Sequence, residues 1–361
     1  MDKTEFIRAE TRRRTWAADL TEEQIESFVR LFNNVWGDLP EAEIVRRIDK
    51  ALGGMQAEPE GEPNTPYKKP DYFSMVIANP IRSIFEGKIL INDLPQPVKV
   101  GKNKKTKEYY TVDVQLFLDQ IKEQGVKLPV PEELCLNTMN GIVSILSSQN
   151  SFMTPKQVCE NFLGRPTDNQ SLIAEVDKCM DFFTHLRTSL DWTQHALMKG
   201  LPADPTGYIV REEYFFNADR IEAYQYGQKV VGYQLNKLPP FYTYPAAVGQ
   251  IANFDRALLE APHTTSRTPI KSGEKIAFVK NRMLMRINQM KTNKKAGDNS
   301  ETYKITFDPL YLLAGATSRT QQQRLREAIF VILEAWIDEG YICGYDTENK
   351  GKKIHAVKID I

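Results

Sequence analysis

The C-terminal third of the sequence follows one fixed order of helical and β patterns, and this order restricts the fold more than any other feature. A long helical pattern, GEKIAFVKNRMLMRINQMK, precedes a β pattern, TYKITF, and a short helical pattern, DPLYLLAGA. A third helical pattern, TSRTQQQRLREAIFVILEAWIDEGY, precedes a hairpin pattern, ICGYDTENKGKKIHAVKIDI. Apolar residues recur every three or four positions in the helical segments and at alternate positions in the β segments. The segment is therefore predicted to form three helices and a terminal β-ribbon.

The third of these helices has one apolar face with arginines near its beginning. The apolar residues at helical spacing are Leu325, Ile329, Ile332, Leu333 and Trp336. Arg324 and Arg326 flank this stripe, and Arg319 precedes them. In winged-helix and helix-turn-helix domains, this end of the recognition helix enters the major groove. Because a guanidinium fork matches the acceptors of guanine, these arginines are candidate base contacts.

Basic charge is concentrated in the same part of a chain that is neutral overall. The whole sequence has 47 lysines and arginines and 47 aspartates and glutamates. Residues 265–330 contain thirteen basic residues: Arg267, Lys271, Lys275, Lys280, Arg282, Arg286, Lys291, Lys294, Lys295, Lys304, Arg319, Arg324 and Arg326. Five acids oppose them: Glu274, Asp298, Glu301, Asp308 and Glu327. The local excess of eight positive charges predicts a polyanion-binding surface in this segment.

The terminal hairpin adds a second group of cations. Lys350, Lys352 and Lys353 surround Gly351, which permits a tight turn with positive φ. We expect them to contact phosphates as a basic wing, together with Lys294 and Lys295 at the end of the first helix. The alternative is that these charges form only the solvated face of amphipathic elements.

Residues 131–192 show a related order of patterns. Helices are predicted at 131–148, from MTPKQVCENFLG and at 169–187, followed by a strand at TSLDW. A hairpin is predicted in RIEAYQYGQKVVGYQL, beyond an insertion at about 193–207. This order is also typical of a winged helix.

The first 128 residues give weaker patterns. A helical hairpin is predicted within 19–52, and GGMQAEPEGEPNTPYKKP has the composition of a flexible linker. Two strands are predicted around a turn with five lysines, followed by a helix from VQLFLDQIKEQ. These lysines are Lys99, Lys102, Lys104, Lys105 and Lys107. They are interpreted either as a solvated turn or as phosphate contacts.

Several chemistries lack their motifs in this sequence. There is no GxxxxGK[ST] phosphate loop, no HExxH and no GxSxG. The four cysteines (135, 159, 179 and 343) and the four histidines (185, 195, 263 and 355) are not at metal-ligand spacing. No signal-peptide core or long apolar stretch is found. The sequence therefore predicts a non-catalytic, cytoplasmic protein without a metal or cofactor and without membrane association.

The two helix, strand and hairpin orders together resemble the tandem winged-helix replication initiators of bacterial plasmids and other mobile elements. The resemblance rests on TSRTQQQRLREAIFVILEAWIDEGYICGY with GKKIHAVKIDI, and on MTPKQVCENFLG with CMDFFTHLRTSLDW. It implies that the C-terminal domain binds repeated duplex sites and that the preceding domain supports a homodimer. It further implies host replication proteins as partners.

The predicted fold class is α+β and helix-rich, with two winged-helix domains and their β-hairpins preceded by a small helical N-terminal region. The predicted segments are a helical hairpin at 1–54, a linker at 55–71, a small α/β segment with the basic hairpin at 72–128, a first winged-helix-like domain at 129–262 and a second winged-helix domain at 263–361.

Three functions are compatible with these patterns. The first is a double-stranded-DNA-binding protein, either initiator-like or regulatory. The second is a winged-helix module that binds proteins and not DNA. The third, with the least support, is a strand-nicking enzyme using one of the fifteen tyrosines.

Overall fold

The computed structural model describes residues 2–15, 29, 40–41, 44, 72–76, 80, 91, 94–102, 106–118, 128–148, 150–201, 208–225, 228–263, 273–295, 303–351 and 353–361. These residues belong to two compact units. The first comprises the described residues within 1–69, 151–154 and 217–237, and the second comprises those within 70–150, 155–216 and 238–361. Nearly all of the predicted helical hairpin and all of the predicted linker lie outside the described residues.

Within the described residues the architecture is mixed, with ten helices and small antiparallel sheets. The helices are α1 (Lys3–Thr15), α2 (Glu132–Ser147), α3 (Pro155–Leu163), α4 (Gln170–His185), α5 (Thr193–Met198), α6 (Pro240–Ala247), α7 (Arg256–Glu260), α8 (Gly273–Lys295), α9 (Phe307–Leu313) and α10 (Arg319–Asp338). The strands are β1 (Tyr72–Val76), β2 (Gln96–Lys102), β3 (Tyr109–Leu118), β4 (Phe152–Met153), β5 (Leu186–Asp191), β6 (Ile209–Tyr214), β7 (Ala218–Gln225), β8 (Gln228–Leu235), β9 (Ile251–Asp255), β10 (Lys304–Thr306), β11 (Gly344–Lys350) and β12 (Lys353–Asp360).

The first unit contains α1 and a three-stranded sheet with the order β4-β8-β7. The hairpin β7–β8 confirms the hairpin predicted from its aromatic and β-branched residues. The short strand β4 pairs with the end of β8, where Phe152 lies opposite Gln234. The backbone N–H of Leu235 also donates to the Ser151 carbonyl at 2.7 Å. The last strand of the hairpin is therefore the central strand of this sheet.

In the second unit, α2, α3 and α4 confirm the three helices predicted between residues 131 and 187. α2 is buried along almost its whole length, since all residues from Leu134 to Leu146 are buried. α4 is capped by Asn169, whose side chain accepts from the backbone N–H groups of Ser171 and Leu172. An asparagine at this position satisfies amides that have no partner within the helix.

A four-stranded antiparallel sheet has the order β2-β3-β5-β6. The prediction of a helix in VQLFLDQIKEQ is wrong for its first five residues, VQLFL, because they belong to β3, which continues to Leu118. Val112, Val114 and Leu116 are all buried, so every second residue of β3 faces the core. The strand also pairs with β5, with Val114 opposite Leu190. Pairing with a distant strand therefore decides the conformation of a segment whose local pattern is ambiguous.

Side chains of α2 complete the hydrogen bonding of the two-stranded sheet β1–β9. The Asn140 side-chain oxygen accepts from the backbone N–H of Val76 at 3.2 Å, and the Ser144 hydroxyl accepts from that of Ser74 at 3.3 Å. The hydroxyl of Ser74 donates to Asn253 at 2.8 Å. Buried backbone amides without a strand partner are thus satisfied by a helix.

The long helix α8 is joined to α2 and α3 by a buried asparagine. The Asn281 amide nitrogen donates to the side-chain oxygen of Asn137 in α2 at 2.6 Å and to the carbonyl of Phe162 in α3 at 3.1 Å. Phe278 packs against Phe162 with ring centroids 6.0 Å apart. Further along α8, the ammonium group of Lys291 donates to the Tyr341 carbonyl, close to the end of α10. One helix therefore joins α2 and α3 to the C-terminal elements.

The C-terminal elements follow the predicted order α8, β10, α9, α10, β11 and β12. Their sheet has the order β10-β12-β11, so the last strand lies in the centre. The buried residues of α10 include all five residues of the predicted apolar stripe, from Leu325 to Trp336. The indole N–H of Trp336 donates to the Leu258 carbonyl of α7 at 2.9 Å.

The cysteines differ in their surroundings. Cys135, Cys159 and Cys179 are free and buried, whereas Cys343 is free and exposed. Burial raises the pKa of Cys159 to about 12, so this thiol stays protonated at neutral pH. Within the described part of the chain, no helix is long and apolar enough to cross a lipid bilayer.

We expect the buried amide of Asn281 to be essential for stability. Asn281→Leu leaves two buried acceptors unpaired and should lower the free energy of unfolding by about 2–4 kcal/mol. Asn288→Leu, on a partly exposed position of the same helix, should change it by less than about 0.5 kcal/mol. Urea denaturation measures both. Equal effects of the two substitutions would contradict this role.

Buried His195 adds a dependence of stability on pH. Its Nδ1 lies 2.7 Å from the hydroxyl of Tyr244, and its Nε2 is buried without a hydrogen-bond partner in the described structure. Burial, assisted by the charge of Lys199, lowers the pKa of His195 from 6.5 to about 4. The folded chain therefore holds this imidazole in the neutral form.

Below pH 6.5 the unfolded chain binds a proton at His195 that the folded chain does not bind until about pH 4. The free energy of unfolding should therefore decrease as the pH decreases through this window. The expected decrease between neutral pH and pH ~5 is about 2 kcal/mol. His195→Gln should flatten this slope in urea denaturation. A slope that persists in His195→Gln would assign the pH dependence to other groups.

Candidate nucleic-acid interface

The beginning of α10 is fixed by a reciprocal pair of side-chain hydrogen bonds. The Ser318 hydroxyl accepts from the backbone N–H of Gln321 at 3.2 Å, and the Gln321 side-chain oxygen accepts from the N–H of Ser318 at 3.0 Å. The same oxygen accepts from the N–H of Thr317 at 3.1 Å. This capping box holds the turn before α10 in one conformation. The exposed residues that follow are thereby presented on a rigid support.

The three predicted arginines do not share one face of α10. Arg319 and Arg324 are exposed, whereas Arg326 is half-buried. Two residues along an α-helix correspond to a rotation of about 200°, so Arg324 and Arg326 lie on opposite sides. Burial raises the pKa of Tyr311 in α9, and the charge of Arg326 beside its hydroxyl opposes that rise. Arg326 therefore lies against α9, while Arg324 points away from the core.

The outward face of α10 contains residues that sequence reasoning did not select. Thr320 and Gln323 are exposed and lie within one helical turn of Arg324. The Gln323 amide donates to the carboxylate of Glu327 at 3.1 Å. The sequence alone contains the signal for these residues. The helical period that places the apolar stripe on one face also places Thr320 and Gln323 on the opposite face. The outward face is thus polar and mixed in charge.

The β11–β12 hairpin places two lysines together at its tip. Lys350 and Lys353 are directly paired across the strands, and both are exposed. Directly opposed residues project on the same side of a hairpin. Gly351 in the connecting turn has a φ of 65°, which glycine adopts without strain. Lys352 lies outside the described residues.

An acidic residue below the hairpin tip has cationic neighbours. The carboxylate of Glu348 lies 3.2 Å from the ammonium of Lys304 and 3.5 Å from the Nε2 of His355. The strand pairing shifts register between Glu348 and Asn349. The charge of Glu348 is therefore directed toward Lys304, away from the pair of lysines at the tip.

Lys294 lies away from the hairpin tip. Its ammonium donates to the Ile361 backbone oxygen, which follows β12 at the end opposite Lys353. Seven residue steps separate Lys353 from Asp360, or roughly 24 Å of extended chain. The structure therefore does not bring Lys294 to the tip. The side chain of Lys295 lies outside the described residues.

Part of the basic charge counted in the sequence is internal. Lys280 is only 4% exposed and donates to the Leu259 carbonyl at 2.7 Å. Burial, with a contribution from Arg165, lowers its pKa to about 8. Lys291 lies 3.8 Å from the centre of the Tyr341 ring. The surface excess of charge is therefore smaller than the count of eight indicated.

Reactive groups are also limited in the described structure. Tyr244 is buried, and burial raises its pKa above the ordinary value, which disfavours a nucleophilic phenolate. Among the described residues, no group of three or more histidine, cysteine, aspartate or glutamate side chains could hold a metal ion.

Comparisons of the chain with known protein families, with curated proteins and with solved structures found no match.

The different positions of the two arginines predict different effects on stability. Arg326→Ala removes packing against Tyr311 and should lower the free energy of unfolding by about 1 kcal/mol. Arg324→Ala changes an exposed side chain and should have an effect below about 0.5 kcal/mol. Thermal and urea denaturation of both variants test this difference. A larger loss of unfolding free energy in Arg324→Ala than in Arg326→Ala would contradict the assignment of Arg324 to the outward face.

Proposed function

We propose that residues 273–361 form a winged-helix domain that binds duplex DNA. The observation that carries this proposal is the order α8, β10, α9, α10, β11, β12 combined with the strand order β10-β12-β11. A winged helix requires three helices with a short strand after the first. It also requires a closing hairpin whose last strand lies in the centre of the sheet. In such domains the third helix enters the major groove. Here that helix is α10.

The beginning of α10 has the chemistry for reading bases. Arg324 can donate two hydrogen bonds to guanine, and the amide of Gln323 can pair with adenine once it leaves Glu327. Arg319 and Thr320, in the first turn, have the reach to contact phosphate or base edges. The capping box at Ser318 supports this role, because contacts to bases require side chains that start from a fixed backbone.

The hairpin tip supplies contacts of another kind. Lys350 and Lys353 project together from a tight turn and can each neutralise one phosphate. Such contacts add affinity for any sequence and weaken as the salt concentration rises. The proposed division is therefore that α10 selects the sequence and that the hairpin adds affinity.

The order along residues 132–235 supports a tandem arrangement. α2, β4, α3 and α4 are followed, after β5, α5 and β6, by the hairpin β7–β8, and the strand order is β4-β8-β7. The last strand is again central, as in the C-terminal sheet. Apart from the inserted β5, α5 and β6, the two segments share one order of elements, which is the pattern of the tandem winged-helix initiators that the sequence resembles.

The wider role that we propose is a non-catalytic initiator-like or regulatory protein of a plasmid or other mobile element. The sequence has no phosphate-binding GxxxxGK[ST] loop, so any unwinding of the duplex would draw on ATP hydrolysis by other proteins. Host replication proteins are the partners that this role requires, and a homodimer would match paired sites.

One observation favours the second candidate, a module that binds protein. Leu312 in α9 is 85% exposed, and Glu327 and Glu334 add negative charge near the outward face of α10. An exposed leucine on α9 and negative charge on α10 fit a protein-binding surface better than a surface that contacts a phosphate backbone. This candidate predicts no salt-sensitive binding to random duplex.

Selection of bound sequences from a random duplex pool tests the proposed function most directly. We expect one enriched sequence, repeated or palindromic. Arg324→Ala should weaken binding to it by about 1–3 kcal/mol and relax the preference at one base pair. The same variant should keep its affinity for random duplex. Selection that enriches no sequence would remove the proposed role of α10.

The contribution of the hairpin has its own measurement. Lys350→Ala combined with Lys353→Ala should reduce the slope of log affinity against log salt by roughly 2, because each phosphate contact contributes about 0.9. Lys358→Ala, an exposed lysine five residues further along β12, serves as the control and should leave the slope unchanged. Equal slopes in all variants would remove the hairpin from the interface.

A further inference from the structure

A second cationic surface lies on the β2–β3 hairpin and is built around an exposed aromatic ring. Tyr109 is 50% exposed, and it pairs directly with Lys102 across the two strands. The ammonium groups of Lys99 and Lys102 lie 4.4 and 5.2 Å from the centre of its ring. Lys107 precedes it in the same hairpin and is also exposed. Two lysines thus lie over one tyrosine ring, with Lys107 close by in the sequence; among the described residues of this turn, Glu108 is the acid.

A cleft adjoins this ring. It has a volume of about 490 Å³ and is lined by Glu108, Tyr109, Tyr110, Gln194 and Leu197. Ligand sites for small molecules occupy roughly 300–1,000 Å³, so the space is sufficient for one nucleotide. Leu197 is 51% exposed, which adds an apolar wall beside the aromatic rings. The cleft therefore offers a flat aromatic surface and an apolar surface side by side.

A hydrogen-bond donor at the wall of the cleft has a fixed orientation. The Gln194 side-chain oxygen accepts from the backbone N–H of Thr111 at 3.1 Å and from its hydroxyl at 3.4 Å. Because a backbone N–H requires an acceptor, the oxygen and not the nitrogen of this amide must face Thr111. The amide nitrogen of Gln194 is therefore a donor that can meet a base or sugar oxygen.

The short helix α5 packs close to the hairpin at a glycine. A Cβ at Gly101 would lie 2.6 Å from the Met198 sulfur, so a larger residue there would require the end of the Met198 side chain to shift. The same short helix carries Gln194 and Leu197. The cleft therefore lies between two elements that pack against each other, α5 and the β2–β3 hairpin.

We propose that this surface, with Tyr109 at its centre, binds single-stranded nucleic acid. A base would stack on Tyr109, its phosphates would contact Lys99, Lys102 and Lys107, and the Gln194 amide would donate to the nucleotide. Aromatic side chains flanked by cations are the usual means of holding unpaired strands. This site is independent of the proposed interface on α10 and would take a different form of nucleic acid.

Competition between the lysines and a base for the tyrosine ring favours the base. An exposed cation–π contact changes an equilibrium constant by a factor of about 2–5, whereas stacking a base on an aromatic side chain changes it by roughly 5- to 100-fold. A displaced ammonium group stays close enough to pair with the phosphate of the stacked nucleotide. Duplex DNA does not offer this contact, because its bases are already stacked and paired.

The test uses the full chain and fluorescence polarisation with labelled oligothymidylate and oligouridylate of about 15 nucleotides. Tyr109→Ala should weaken binding by about 5- to 100-fold, and Tyr109→Phe should retain the wild-type affinity within about twofold. Substituting Lys99 and Lys102 with alanine should reduce the salt dependence of this binding. Stronger binding of the deoxyribose or of the ribose oligomer assigns the ligand as DNA or RNA, and binding of neither oligomer overturns the proposal.

The matched control is Tyr72→Ala, because Tyr72 is 60% exposed on the separate strand β1. It should not change affinity for single strands. A second control measures duplex binding, which should be the same in Tyr109→Ala as in the wild type, whether the wild type binds duplex strongly or not at all. The proposal is overturned if Tyr109→Ala has no effect, if Tyr72→Ala has an equal effect, or if Tyr109→Ala instead dissociates a dimer in size-exclusion chromatography. The last outcome would assign the surface to a second copy of the chain.

Discussion

The buried amide of Asn281 is the contact on which the arrangement of the second unit depends. It joins α8 to Asn137 of α2 and to the backbone of α3, and both asparagines are buried, so the loss of either partner leaves a buried polar group unpaired. The other end of the same helix packs near the end of α10 through Lys291 and Tyr341. Since α8 is continuous between these contacts, it relates α2 and α3 to α10 within one rigid element. Both the α10 surface and the hydrophobic packing behind it are held in position in this way.

Sequence periodicity predicted the helices well because their apolar faces follow from local spacing. The stripe from Leu325 to Trp336 was recognised in full, and the order of elements from 273 to 361 followed from the same patterns. β3 was predicted less well, since VQLFL suits either a helix or a strand until its partner β5 is known. The arginines show a related limit. Sequence reasoning grouped Arg324 and Arg326 by proximity, whereas the helical rotation separates them.

Counting charges along the sequence overestimated the cationic surface for a physical reason. Long lysine side chains can bury their methylene groups and donate to carbonyl oxygens at helix ends, and Lys280 and Lys291 do so. Such lysines stabilise the fold and are not available to a polyanion. Conversely, the lysines around Tyr109 were left with two interpretations, because a linear sequence does not reveal which strand positions bring them to one ring. The pairing register of β2 and β3 supplied that information.

The indole of Trp336 has a consequence for dissecting the chain. Its hydrogen-bond acceptor, the carbonyl of Leu258, belongs to α7, and Lys280 donates to the neighbouring carbonyl of Leu259. A fragment starting at residue 263, where the sequence placed a domain boundary, would lack both acceptors and would expose the side of α8 that carries Asn281. Such a fragment would retain every residue proposed to touch a duplex and still be prone to aggregation. An autonomous C-terminal piece would have to begin before α7 and replace the face of α8 that α2 and α3 normally cover.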